Sequence, residues 1–476
     1  MITRTRFALS AAAGSALLLL ACADSASTDV SGLGVGGTPA VPAAGSGVPV
    51  VPAAGGGSTP PPGAGRTAVS TPPVAGTGST GIAGAPVPPR PQDDSDAGVP
   101  PAAGSGAPAA GSGAAGVGAA GGTAPAPQGE DGILSRPAFK PTGMPIMAPD
   151  KTWTYVPFMD TQCRSGSPAG ISVNLSAGSK RVMIYLEGGG ACFDSQTCGA
   201  NPDSVGSQNP SGNGVFDRNR AENPVKDWSF VYVPYCTGDV HMGAKDSQIP
   251  GLPGTQHFAG RKNLKAFLER VVPTFADAQQ VLLTGVSAGG FGAASNAAYV
   301  QWAFGAVPVT MVDDSGPTFS SEFLPKCLTD KYVQYWGLEN SILDDCGKSC
   351  DASMDYSTQF LEYTAGHATG KSSGLIEADA DSIIRGFYGI GTNNGADDCN
   401  GILLFTPMPA ADFLMGLLDY RERVKKFPNF STYYPSGSQH TWLGGEGFYT
   451  SRIGDVSLVD WFRGVIEGKP AVHAGH

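Results

Sequence analysis

Residues 280–304, "QVLLTGVSAGGFGAASNAAYVQWAF", set an apolar run, a serine between glycines and a run of small residues directly one after another. The apolar run predicts a strand, and "GGFGAASNAAYVQWAF" predicts a helix that begins on small residues. The reversal between them is tight and excludes bulky flanks; Gly285 and Gly289 supply that room and complete a G-x-S-x-G pattern around Ser287. In a strand–turn–helix context this pattern is a nucleophile elbow, with its serine raised above a sheet edge. The helix N-terminus there favours developing negative charge. By itself the pattern also fits an ordinary bend, so its partners elsewhere in the chain must decide.

Five further runs are apolar without alternation: "RVMIYLEGGG" (181–190), "WSFVYVPYC" (228–236), "VPVTMVDDSG" (307–316), "SGLIEADAD" (373–381) and "STYYPSGSQH" (431–440). Unbroken apolarity marks strands covered on both faces, as in a parallel sheet. Between some of them lie amphipathic segments. Leu264, Phe267, Leu268, Val271 and Val272 share one helical face, and Phe413, Leu414, Leu417, Leu418 and Val424 share another. Strands alternating with helices predict an α/β three-layer fold with a mostly parallel sheet. Neither a dinucleotide-binding glycine motif in a βαβ setting nor a P-loop occurs, so no nucleotide cofactor is expected.

This folded head is expected over 131–476. Residues 1–21 combine Arg4 and Arg6 with the apolar stretch 7–21, too short for a comfortable membrane span, and read as an export signal. "LLAC" ends in Cys22 and resembles a bacterial lipobox. That resemblance implies cleavage before Cys22, acylation of its thiol and a lipid anchor on a bacterial membrane, on the periplasmic side or the cell surface. An ordinary signal peptide cut near "ACADSA" is the alternative. Residues 22–130 hold most of the excess of glycine (68 in the chain) and proline (39). Near-repeats such as "PAAGSGAPAAGSGAAGVGAAGG" bury no core, which predicts a disordered linker spanning roughly 55 to 60 Å.

The net charge of −11 and the lack of a basic run exclude nucleic acid as a favoured partner. Of nine cysteines, eight remain after Cys22. In an exported chain these are expected to form disulfides, with Cys192/Cys198 and Cys346/Cys350 spaced for local pairs. A zinc site, with His or Cys ligands in paired short spacings, is the rival reading; no histidine lies near these pairs, so disulfides are favoured and no metal is expected.

A serine hydroxyl needs a histidine base and an acid that orients it. On an elbow fold the chain order is serine, acid, histidine. Among six histidines, His440 in "SGSQHTWL" follows the last strand-like run, whereas His241 precedes the serine. For the acid, "LIEADAD" offers Glu377, Asp379 and Asp381, and "MVDDSGP" offers Asp313 and Asp314; chain position alone does not separate the two sites. "YLEGGGACF" ends a strand on three glycines, where backbone amides can approach an anion closely. Gly189 and Gly190, together with the amide of Ala288, are the expected oxyanion donors.

"LEGGGACF", "YVPYCTGDVHMG", "LLTGVSAGGFGA", "DDSGP" and "SQHTWL", in this order over about residues 150–465, resemble the pectin acetylesterase and Notum family of serine esterases. The resemblance implies an α/β-hydrolase-like fold, cleavage of carboxylic esters, and a triad matching Ser287 and His440. It favours Asp381 as the acid over Asp379 and Asp314. Ala191 stands where the family often has a tryptophan after its glycines. The expectation is therefore a cofactor-free serine carboxylesterase acting on acetyl esters of a polysaccharide, or on longer acyl esters. An inactive surface-tethered binding protein and a peptidase are the rival readings. Oligomeric state is not legible.

Overall fold

A computed structural model describes residues 132–367, 372–390, 399 and 406–476. The expected leader 1–21, Cys22 and the linker 22–130 lie outside the described residues.

The strands are β1 (Thr154–Phe158), β2 (Ala169–Asn174), β3 (Arg181–Leu186), β4 (Ser229–Val233), β5 (Lys245–Ser247) and β6 (Gln256–Phe258). They continue with β7 (Gln280–Val286), β8 (Val309–Asp314), β9 (Ser373–Ile376), β10 (Phe430–Tyr433), β11 (Arg452–Ile453), β12 (Val456–Ser457) and β13 (His473–Ala474). The helices are α1 (Ser195–Gly199), α2 (Gly260–Thr274), α3 (Ala288–Phe304), α4 (Lys326–Trp336) and α5 (Ile342–Cys346). After them come α6 (Tyr356–His367), α7 (Ser382–Tyr388), α8 (Ala410–Val424), α9 (Gly447–Thr450) and α10 (Leu458–Ile466).

Nine strands form one sheet in the order β1-β2-β4-β3-β7-β8-β9-β10-β13. From β4 to β13 every pairing is parallel; β2 joins β4, and β1 joins β2, antiparallel. All six apolar runs are strands of this sheet. Their unbroken apolarity has a direct cause. Val182, Ile184 and Leu186 of β3 pack into one layer with Leu264 and Phe267 of α2 and Val300 of α3. Met183 and Tyr185 pack into the opposite layer with Leu458, Trp461 and Phe462 of α10. With both faces buried, no position along β3 is left for a polar residue except Arg181 at its exposed start. Each such side chain contributes roughly 1.5–3 kcal/mol through burial. Strands β1 and β2 were not among the runs read from sequence. β1 is an edge strand, mostly half-buried, and lacks the continuous apolarity that identifies the centre.

Strand order decides which loops meet. β7, which leads into Ser287, lies between β3 and β8, so the loops leaving these three neighbours converge at one sheet edge. The connection from β8 to β9 carries α4, α5 and α6. The eight head cysteines form Cys163–Cys236, Cys192–Cys198, Cys327–Cys399 and Cys346–Cys350. Both short-spaced pairs expected from sequence are present. Among the described residues no helix is long and apolar enough to cross a membrane.

Candidate active site

Ser287 stands between β7 and α3 with φ 55° and ψ −121°, a backbone conformation that costs a non-glycine residue strain. The neighbours that hold it there are small by necessity. A Cβ on Gly285 or Gly289 would run into the Leu186 carbonyl oxygen at the end of β3, and one on Gly290 into the Asp313 carboxylate. The Ser287 amide donates to Asp314 O at 2.7 Å, and its carbonyl accepts from Phe291 N–H at 3.0 Å in the first turn of α3. The residue is 5% exposed.

His440 lies on the loop after β10. Its Nδ1 is 2.7 Å from Asp381 Oδ2. A carboxylate only accepts, so Nδ1 carries the proton and Nε2 is left as the free acceptor. Nε2 is buried and meets no hydrogen-bond partner. Asp381 is fully buried. Its other oxygen, Oδ1, accepts from the amides of Ile383 (2.8 Å) and Ile384 (2.9 Å), capping α7. The "DADSII" stretch thus starts a helix with the same carboxylate that orients the imidazole.

The other acids take different places. Asp314 Oδ2 accepts from the amides of Trp442 (2.8 Å) and Leu443 (2.7 Å), and Thr441 N–H donates to Ser315 Oγ at 3.1 Å. "DDSG" therefore anchors the loop that carries His440, and the β8 end binds both the Ser287 amide and the residues following His440. No hydrogen bond joins the Ser287 hydroxyl to the imidazole in this structure. Burial pushes the Asp314 carboxyl up to about 6, against the lowering effect of those amides. Asp379 is occupied by Gly437 N–H and the His476 ring. Glu377 is fully buried, and no N–H or O–H reaches either of its oxygens. Burial, and then the adjoining Asp381 carboxylate, hold its carboxyl well above the ordinary range.

His241 is no partner of the serine. It is buried, and its Nε2 donates to Glu187 O at 2.9 Å; burial lowers its pKa to about 4, so it is neutral near pH 7. His257 pairs with Asp246, and His473 with Thr432.

The glycine loop leaves β3 beside the serine. Gly189 and Gly190 have φ 156° and 83°, and a Cβ on Gly188 would lie 3.2 Å from the Ser287 Cβ. Among the described residues, no acceptor takes the amides of Gly189, Gly190 or Ala288. That of Ala288 is one of the open donors at the start of α3. Ser287, Gly190, Ala191 and Ala288 open onto a cavity. Its walls are apolar and aromatic, among them Met242, Phe291, Tyr332, Trp336, Ile342 and Phe360. Sequence reading missed these walls, which come mostly from α4, α5 and α6, and it missed Asn201 and Tyr235, which grip the glycine loop. The short Cys192/Cys198 spacing was the available signal that the chain returns toward that loop.

The model of the pectinacetylesterase family matches residues 153–367, a span that includes Ser287 and ends before Asp381 and His440. Palmitoleoyl-protein carboxylesterase notum2 of Xenopus laevis is 34% identical over 145 residues, 28% of this chain and 29% of that protein. Human palmitoleoyl-protein carboxylesterase NOTUM is 29% identical over 171 residues, 32% of this chain and 34% of its own length. An inactive palmitoleoyl-protein carboxylesterase, notum1b of Danio rerio, is 37% identical over 93 residues, 17% of this chain and 66% of that protein. The matched region thus spans about a third of the length of the first two of these relatives. With the parallel sheet and the glycine-flanked serine at its edge, these matches make residues 153–367 similar to the pectinacetylesterase and Notum family.

Proposed function

We propose that the chain is a serine carboxylesterase using Ser287, His440 and Asp381. The observation that carries the reading is the elbow serine beside unoccupied amides, its own N–H held by the same β8 end that anchors the loop of an Asp381-oriented imidazole. In the reaction His440 Nε2 takes the Ser287 proton as Oγ attacks the ester carbonyl. The oxyanion faces the amides of Gly189, Gly190 and Ala288. Collapse returns the proton to the leaving alkoxide and leaves an acyl-serine. Water, deprotonated by the same imidazole, releases the acid and restores the hydroxyl.

The acyl group is the finer question. Acetyl is the expectation from sequence, but the cavity beside Ser287 runs between several helices, and its mostly apolar lining would reward hydrocarbon. We infer a preference for longer acyl chains, in line with the palmitoleoyl esters named for its relatives. The four disulfides favour an oxidising compartment. Export with lipid attachment at Cys22 completes the proposal, with 22–130 as the tether.

Labelling with a fluorophosphonate, then turnover of p-nitrophenyl esters from acetate to decanoate, tests it. The expected result is label on Ser287, activity abolished by Ser287→Ala, and kcat/KM rising with chain length. The inactive relative makes the opposite outcome meaningful: no label and no turnover would mark a binding protein on this scaffold.

A further inference from the structure

A trans peptide points its C=O and the following N–H in opposite directions. A side chain that holds one carbonyl therefore aims the next residue's amide. Three carbonyls of the glycine loop are held from outside. His241 Nε2 donates to Glu187 O at 2.9 Å, Asn201 Nδ2 to Gly189 O at 2.7 Å, and the Tyr235 hydroxyl to Gly190 O at 2.9 Å. The middle contact aims the Gly190 amide. Glycines have no side chain to steer them, and their peptide planes turn at little cost unless something holds them.

Asn201 is brought to this position by the chain that leaves the loop. Cys192–Cys198 closes six residues of chain around α1. Asp194 caps α1 with a reciprocal pair of bonds to Thr197. The Asn201 amide donates to Cys198 O at 3.3 Å, and Arg164 Nη2 donates to Cys198 O at 2.9 Å and Asn201 O at 2.8 Å. Asn201 is 8% exposed. The glycines answer to the same grip: a Cβ on Gly190 would sit 3.1 Å from Asn201 Nδ2, and one on Gly189 would run into the Tyr235 ring.

The geometry points to Asn201 as a positioning residue that holds the Gly190 amide toward the reacting carbonyl, seated there by the Cys192–Cys198 loop. This rests on the esterase reading. Asn201 does not touch the ester; it acts through the peptide between Gly189 and Gly190.

The test uses Asn201→Ala and Asn201→Asp in the full chain, the second keeping the size while replacing the donor by an acceptor. Both are expected to lower kcat about 10- to 100-fold, short of the roughly 10²- to 10³-fold loss on removing an oxyanion donor itself. KM should stay within about twofold. Affinity for a trifluoromethyl ketone, which forms an oxyanion on the serine, should fall by the factor lost in kcat/KM. A Cys192→Ser/Cys198→Ser variant should move the same readouts in the same direction. Where the alanine variant fails to fold, Asn201→Asp carries the reading. A folded variant with wild-type kcat and wild-type ketone affinity overturns the proposal. A wild-type chain that neither turns over esters nor takes the fluorophosphonate overturns the esterase reading instead, so the two failures are distinct.

Discussion

Replacing Asp381 by asparagine separates the role of its charge from the role of its shape. In the native site Oδ1 accepts from the amides of Ile383 and Ile384, while Oδ2 faces His440 Nδ1. An asparagine amide cannot flip freely here, because its NH₂ cannot accept from two N–H groups. Its oxygen stays on the helix cap, which preserves roughly 1 kcal/mol of capping. The NH₂ then points at His440 and donates to Nδ1. That forces the ring proton onto Nε2, the atom that must accept from Ser287. A base held in the wrong tautomer costs about 10⁴-fold in kcat, equivalent to roughly 5 kcal/mol of barrier. The assay is ester turnover beside a thermal melt, with ¹⁵N shifts of the ring nitrogens reporting the tautomer. The expected result is a nearly unchanged melt, an Nε2-protonated His440 and a loss of about four decades. If Asp381→Asn kept activity within tenfold of wild type, or if Asp314→Asn lost as much, the assignment of the acid would be refuted.

Further outcomes can be measured on the same preparation. Asp314 is a buried carboxyl raised to about 6, above the unfolded value near 3.9, so the folded state binds its proton more tightly. Its contribution to stability is present at low pH and is lost as pH rises from about 4 to about 6. Asp314→Asn should flatten the stability curve in that window by an amount on the order of 3 kcal/mol, read by urea unfolding at several pH values, while losing less than tenfold in turnover. In the chain-length series, each methylene that enters the cavity should raise kcat/KM by up to about fourfold, from roughly 0.8 kcal/mol per buried CH₂. Ser357→Phe, which places a ring in the cavity, should cut decanoate turnover at least about tenfold and leave acetate nearly unchanged. Losing Cys163–Cys236, whose partners are 73 residues apart, should destabilise the fold by about 4 kcal/mol, against about 2 kcal/mol for the six-residue Cys192–Cys198 pair. Calorimetry of the two double serine variants gives the comparison.

The sheet was legible because its central strands are buried on both faces, so their sequences could not hide among loops. The elbow was legible for a related reason: packing around Leu186 O leaves no room for anything but glycine at 285 and 289. The residues alone did not separate the candidate acids. Asp314 and Asp381 both follow apolar runs, and what separates them is which one faces His440 Nδ1 and which one faces the Trp442 and Leu443 amides. Neither spacing nor periodicity encodes that. Glu377 was visible as a candidate acid, but its contact with Asp381 depends on the turn that folds 377–381 back into the sheet edge. The cavity was invisible because the apolar residues of α4, α5 and α6 look like any core until the space between them is seen.

About half of the residues around that space come from one crossover. Thr318, Leu324, Thr329, Tyr332, Trp336, Leu338, Ile342, Tyr356 and Phe360 all come from the passage between β8 and β9. Ser287 precedes this passage, and Asp381 and His440 follow it. Selection for a different acyl partner could therefore act on α4, α5 and α6 while leaving Ser287, Asp381 and His440 in place. A graft of this passage between relatives is the direct way to move their chain-length preferences.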